Sequence, residues 1–292
     1  MTGFGSFAEG LFTSATPLIL ASLGALLTEL AGVLGIFIEG FMNAGAFFSW
    51  VIAGWTGSVV LGTAASASAA AAAGFCLARF VRKTGANPFV AGLAVNIAAG
   101  GVTDYLSVLW FGTKGVLRNP AVAARLDAAC FDTVLPWMRG RLPWIWLSLA
   151  AFVVLTLLVN HSSWGLRLRA SGLAPEAAKE RGIRPGRYWE ASWAAAAALA
   201  VLAGAALCFR IGAYTPGSAA GRGWISLAAV YLGFRRPLGV FAAALVFALA
   251  ERGALVLQGS RFLPATLLLG LPNALALILY ASSCMVRKKK FR

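Results

Sequence analysis

The sequence predicts an all-α, polytopic membrane protein with about nine transmembrane helices, two of its segments broken or re-entrant. Three observations carry that expectation. Of the 292 residues, 60% are hydrophobic and only 12% charged, with a mean hydropathy of +0.79. Apolar runs of about 20 residues recur along the chain, the helix length that crosses a bilayer core of roughly 30 Å. The basic residues behind the net charge of +15 lie between those runs rather than along one soluble face. That placement argues against nucleic acid as the partner and for Lys- and Arg-rich loops on the cytoplasmic side of a membrane. The whole chain, 1–292, reads as one integral membrane domain with lipid around it and no soluble module.

Taken in order, the first apolar run covers residues 7–27, with Pro17 inside it and Glu29 closing it. Residues 31–50 are punctuated by Gly32, Gly35, Gly40 and Gly45 and carry Glu39 and Asn43, a pattern expected of a broken or re-entrant helix. Residues 55–78 follow with an Ala/Ser-rich centre, small enough for close helix packing, and end at Arg79, Arg82 and Lys83. Pro88 opens a helix to Trp110 that carries Asn96, Thr103 and Asp104. The polar stretch 112–141 mixes Lys114, Arg118 and Arg125 with Asp127 and Asp132, and Trp137 and Trp144 suit interfacial anchors.

Residues 143–159 form the next span, and 188–209 another, Ala-rich one. The Gly/Pro/Ser loop 215–223, which includes Ser218, precedes an apolar helix of about eleven residues from Trp224. At 1.5 Å per residue this reaches roughly 16 Å, too short to cross, so it is the second broken element. Arg235 and Arg236 end it, spans 237–256 and 262–286 follow, and the tail from Arg287 to Arg292 is basic. Most of the 25 Lys and Arg residues fall in alternate loops that include the tail. That asymmetry places the C-terminus in the cytoplasm and the N-terminus outside.

The chain is organised around residues 164–187, where Arg167, Arg169, Lys179, Arg181, Arg184 and Arg187 are concentrated between two apolar runs. Pro175 suits a first helical position, Glu176 the positive end of the helix, and Gly182 with Pro185 its stop. The result is a helix of two or three turns, too short to stand alone, so it must dock on something. A basic helix held between two spans is a surface offered to a cytoplasmic partner.

Catalytic and metal chemistry find little support. Cys76, Cys130, Cys208 and Cys284 are far apart, with no paired spacing for zinc or a disulfide framework. His161 is the only histidine and lies at a span end beside Asn160 and Ser162. A membrane-embedded enzyme needs clustered acids or histidines, and here the acids are scattered. No basic region precedes the first apolar run, so a cleaved signal peptide is not expected.

Several stretches in order resemble one family. They are residues 16–26 (Thr16, Pro17 through Leu26), 29–33 (Glu29, Leu30, Ala31, Gly32, Val33), 38–42 around Glu39, 92–96 ending in Asn96, the basic segment, 216–230 from Pro216 to Val230, and 237–240. Together they are similar to the permease subunits of bacterial ABC importers for nucleosides and simple sugars, relatives of the ribose and branched-chain amino-acid permeases. The resemblance implies a bacterial inner-membrane subunit working with two cytoplasmic ABC ATPase subunits, a second paralogous permease and an extracytoplasmic substrate-binding protein. No cofactor is expected on this chain, with ATP and Mg held by the ATPase; the absence of a G-x-x-x-x-G-K-[ST] loop agrees.

The same resemblance makes Pro175, Glu176, Ala177, Ala178, Lys179, Arg181 and Gly182 the ATPase-coupling residues, with Glu176, Ala177 and Ala178 matching the family's Glu-Ala-Ala element. The alternative is a solvated loop helix that only sets topology. Glu39, Asn43, Asn96 and Ser218 are the candidates for the substrate pathway, because polar groups inside a membrane must face protein, water or ligand. Glu39 could equally cap a half-helix, and Asn96 could equally bridge two helices. Asn96 and Asp104 could share one helix face, and Glu251 with Arg252 reads as an interfacial pair. The solute implied is nucleoside-like, riboflavin or a simple sugar. The rival reading is a stand-alone carrier or channel.

Overall fold

The computed structural model describes residues 3–119, 122 and 142–258, and every described element is helical. Residues 262–286, the basic tail, Arg125, Asp127, Asp132 and Trp137 lie outside them. Among the described residues ten helices run in order: α1 (Gly3–Leu30), α2 (Ile38–Thr56), α3 (Val59–Thr84), α4 (Pro88–Phe111), α5 (Leu142–His161), α6 (Ser163–Leu173), α7 (Pro175–Glu180), α8 (Pro185–Ile211), α9 (Arg222–Leu232) and α10 (Pro237–Gln258). Proline opens α4, α7 and α8, where its missing N–H costs nothing. Left-handed glycines close α2, α3, α4 and α8.

Six helices among the described residues are long and apolar enough to cross a membrane: α1, α3, α4, α5, α8 and α10. The helix α2 has the length, but Glu39, Asn43 and its glycines keep it out of that set. Burial sorts the six. The apolar stretch of α1 is 83% buried and that of α8 61%, against 11% for both α4 and α5. So α1 and α8 form the middle of the bundle, packed against α2, α3, α9 and α10, while α4 and α5 turn apolar faces outward. Phe37, Met42 and Trp193 anchor the largest core cluster, where the Phe37 and Trp193 rings lie 4.7 Å apart. The Trp193 indole N–H donates to the Val33 carbonyl at 3.3 Å, so even this fully buried ring has a polar partner.

The segment 31–50 departs from the expected broken helix. Only residues 31–37 are non-helical, and α2 then runs unbroken through Gly40 and Gly45. Those glycines are contact notches, not breaks. A Cβ at Gly40 would stand 2.8 Å from the Asn96 Cα, and one at Gly45 2.5 Å from the Val201 Cα. Small residues let helix backbones approach where lipid supplies no hydrophobic drive.

One end of the bundle gathers the charge. There Arg235 pairs with Glu29 at 2.8 Å and Arg82 with Glu190 at 2.6 Å, tying the ends of α1 and α3 to the α9–α10 turn and to α8. The opposite end is aromatic: Phe47 with Tyr214, and Trp50 and Trp144 with Phe209. A two-way backbone pair between Leu117 and Tyr214, 3.0 Å each way, closes it.

Candidate functional site

The short helix expected to open at Pro175 and stop by Gly182 is present as α7, and a second helix, α6, precedes it in the basic segment. A residue before proline is pushed out of the α region. Ala174 obeys, with φ −146° and ψ 77°, so α6 ends there and α7 begins at Pro175. The helix α6 turns back from α5 at Ser162, whose hydroxyl accepts from the Gly165 N–H at 3.1 Å. Its far end lies on α1, and a Cβ at Gly172 would overlap the Leu30 carbonyl oxygen.

The helix α7 has six residues, about 9 Å at 1.5 Å each, under two turns. Such a helix has no stability of its own and is held by its flanks. Ala178 is 4% exposed and faces inward, while Pro175, Glu176, Ala177 and Lys179 face out. Glu176 accepts from Lys179 at 2.7 Å across one turn. Gly182, at φ +75°, stops the helix, and its N–H donates to the Lys179 carbonyl while that of Ile183 donates to Ala178. Arg181 is exposed beyond it. A short helix, held by its flanks and the buried Ala178, thus presents a small, mixed-charge face at the basic end of the bundle.

The polar residues of the apolar segments meet in a second cluster. The two glycine-rich stretches, far apart in sequence, come together there. Glu39 accepts from the Gly221 N–H at 2.8 Å and the Gly223 N–H at 2.6 Å, placing a carboxylate on the positive end of α9. One turn on, Asn43 accepts from the Ala219 N–H at 3.1 Å. Asn96 bridges α4 to the start of α2, donating to the Ile36 carbonyl at 2.9 Å and accepting from the Gly40 N–H at 2.7 Å. It serves as the cap that Phe37 cannot supply. The Ser218 hydroxyl is buried in this loop with no hydrogen-bond partner among the described residues. So Glu39 and Asn96 spend both side-chain polar atoms on backbone groups and Asn43 its carbonyl oxygen, while the Ser218 hydroxyl has no partner among the described residues.

Other expectations change. Glu251 pairs with Arg222 at the start of α9, not with Arg252, which instead lies against Gly10 of α1. An acid and its chain neighbour point to different sides of a helix, so adjacency was a poor guide. Asp104 is half-buried on α4 and His161 is exposed at the end of α5. Two carboxylates gain a role that sequence reading did not assign. Glu190, 6% exposed, holds Arg82, and Glu29, 10% exposed, accepts from the Tyr231 hydroxyl at 3.1 Å as well as from Arg235. The signal available for Glu190 was an acid just inside a span.

Six helices long enough to cross a membrane, polar side chains bonded mostly to backbone, and a short exposed helix at the basic end are the features to set beside known proteins. Residues 7–281 match the model of the family described as "Branched-chain amino acid transport system / permease component", and the chain belongs to that family. It is 30% identical over 258 residues to a guanosine ABC transporter permease of Bacillus subtilis, covering 81% of this chain and 78% of that one. It is 26% identical over 282 residues to a nucleoside ABC transporter permease of Lactococcus lactis subsp. cremoris, covering 91% and 88%. A third relative, a candidate glucose ABC transporter permease of Haloferax volcanii, is 28% identical over 256 residues, covering 84% and 77%. This chain is a permease subunit of an ABC importer, a transporter rather than an enzyme, and the family implies ABC ATPase and substrate-binding partners.

Proposed function

We propose that this permease carries a nucleoside-like solute, riboflavin or a simple sugar across the bacterial inner membrane, with α7 as the element pressed by an ATPase. The observation that carries this reading is the seating of α7. It lies at the end of the bundle where Arg79, Arg82, Lys83, Arg235 and Arg236 also cluster, the end that positive loops assign to the cytoplasm. Glu176 and Lys179 face outward there, and Arg181 is exposed beyond them. ATP and Mg belong to the partner ATPase.

In this reading a second, paralogous permease completes the path, the C-terminus is cytoplasmic, and about nine membrane segments are reached when α2, the short α9 and the apolar run 262–286 are added to the six. Movement follows alternating access, with ATP binding and the loaded receptor biasing one bistable bundle from its two faces. Ser218, with its unspent hydroxyl, is the candidate of the polar cluster best suited to meet solute; Glu39, Asn43 and Asn96 shape the loop and helix ends around it. The names of the guanosine and nucleoside relatives favour a nucleoside-like solute over a sugar.

The test is Glu176→Arg in the full transporter. Uptake of labelled nucleoside is expected to stop while the variant reaches the membrane in normal amount. Normal uptake overturns the coupling role. Uptake that persists when the ATPase subunits are deleted favours a stand-alone carrier instead.

A further inference from the structure

At the basic end of the bundle, α6, α7 and the first turn of α8 enclose an open cavity of about 730 Å³. Four arginines line it: Arg167 from α6, Arg181 and Arg184 from the α7–α8 link, and Arg187 from α8. None of the four has a carboxylate partner among the described residues, and no Asp or Glu lines the cavity. Arg82, Arg222 and Arg235, at helix ends, are by contrast each matched to an acid, although the exposed Lys83 and Arg236 have no acid partner among the described residues. All four are solvent-exposed, so water hydrates them in the absence of a ligand, but four like charges gathered on one recess favour an anion, and the planar guanidinium fork fits phosphate oxygens two at a time.

The apolar part of the wall says which anion. Leu166 and Leu173 line the same cavity and are 63% and 81% exposed. The helix α5, whose Val153, Val154 and Leu157 are also exposed, runs into α6 through the single residue Ser162. Phosphate attracted by the arginines and hydrocarbon attracted by the leucines coexist in one molecule at a membrane surface. We propose that this cavity binds the headgroup of an anionic phospholipid, its acyl chains leaving along the exposed leucines toward α5. Basic recesses between helices at the cytoplasmic level suit such headgroups, each arginine near the surface contributing about fivefold in affinity. The lining shares Ala177, Ala178, Arg181 and Gly182 with the coupling segment, yet the lipid site itself needs only that this end of the bundle lies at a membrane surface, not that α7 docks an ATPase. Its failure and the failure of the coupling role are therefore separate results.

The experiment reconstitutes the complete transporter into vesicles of phosphatidylcholine and phosphatidylglycerol, re-extracts it in mild detergent and counts retained lipid by native mass spectrometry. Phosphatidylglycerol is expected to be retained in preference to phosphatidylcholine. Each of Arg167→Gln, Arg184→Gln and Arg187→Gln should lower that retention about fivefold, and Arg→Lys at the same positions should preserve most of it. Added inorganic phosphate should leave the lipid in place, because it offers nothing to Leu166 and Leu173. Equal retention of the two lipids, or unchanged retention in the three single variants, overturns the proposal. So does displacement by inorganic phosphate, which would mark a free-anion site, or a crosslink from these positions to an ATPase subunit with no lipid retained.

Discussion

Glu190 and Arg82 lock the start of α8 to the end of α3. Arg82 donates to one carboxylate oxygen of Glu190 through both Nε, at 3.1 Å, and Nη2, at 2.6 Å, with Arg79 at 4.0 Å. The acid is buried and the base 40% exposed, so water screens one partner only. Removing one side of a fully buried pair costs about 3–5 kcal/mol. The half-exposed arginine lowers that, and Glu190→Gln is expected to cost about 1–2 kcal/mol. In a chain this size that is a drop of roughly 2–8 °C in Tm. Thermal unfolding in detergent measures it, and the swap of Arg82→Glu with Glu190→Arg should recover part of the loss. An unchanged Tm in Glu190→Gln removes the clamp from the account.

Glu39 supplies acceptors to two amides at the start of α9. Glu39→Gln keeps the shape but turns one acceptor into a donor facing an N–H. The lost hydrogen bond and the orphaned amide together cost about 1–3 kcal/mol. Hydrogen exchange at the Gly221 and Gly223 amides should speed up by about fivefold to a hundredfold, each 1.4 kcal/mol being one decade. Unaltered exchange there would mean the carboxylate does not hold the loop.

Gly204 is where α8 and α2 touch backbone to backbone, and a Cβ there would overlap the Met42 carbonyl oxygen. Gly204→Val should push the two helices apart and cost more than about 2 kcal/mol, in the range of overpacked cores. The expected readout is a sharply reduced yield of assembled transporter. Normal yield and Tm would show that the helices can part freely.

Lys179 separates docking from folding. Its pair with Glu176 is exposed on both sides, and such a pair contributes only a few tenths of a kcal/mol. Lys179→Ala is therefore expected to leave Tm unchanged. If α7 is the docking helix, ATPase binding to the variant permease weakens at the same time, as a pull-down would record. A fall in Tm equal to that of Glu190→Gln would instead assign Lys179 to the fold.

Much of the helical order was legible because it depends on local rules. Apolar length announces a membrane helix, and Pro88, Pro175 and Pro237 open helices where the chain places them. The short apolar helix expected from Trp224 is the eleven-residue α9, beginning two residues earlier at Arg222. The short helix expected from Pro175 opens there as α7, while α6, just before it, carries no such local signal.

What the chain alone determined, then, was which segments are helical, which are too short to cross, and where positive charge collects, since each of these follows from neighbours within a few residues. Only the tertiary structure decided what Gly40, Gly45, Glu39 and Glu251 are for. A glycine looks the same whether it breaks a helix or admits a neighbouring one, and a buried acid takes whichever donor the packing brings near. Glu39 meets Gly221 across 182 positions of chain, and only the folded bundle sets that pairing.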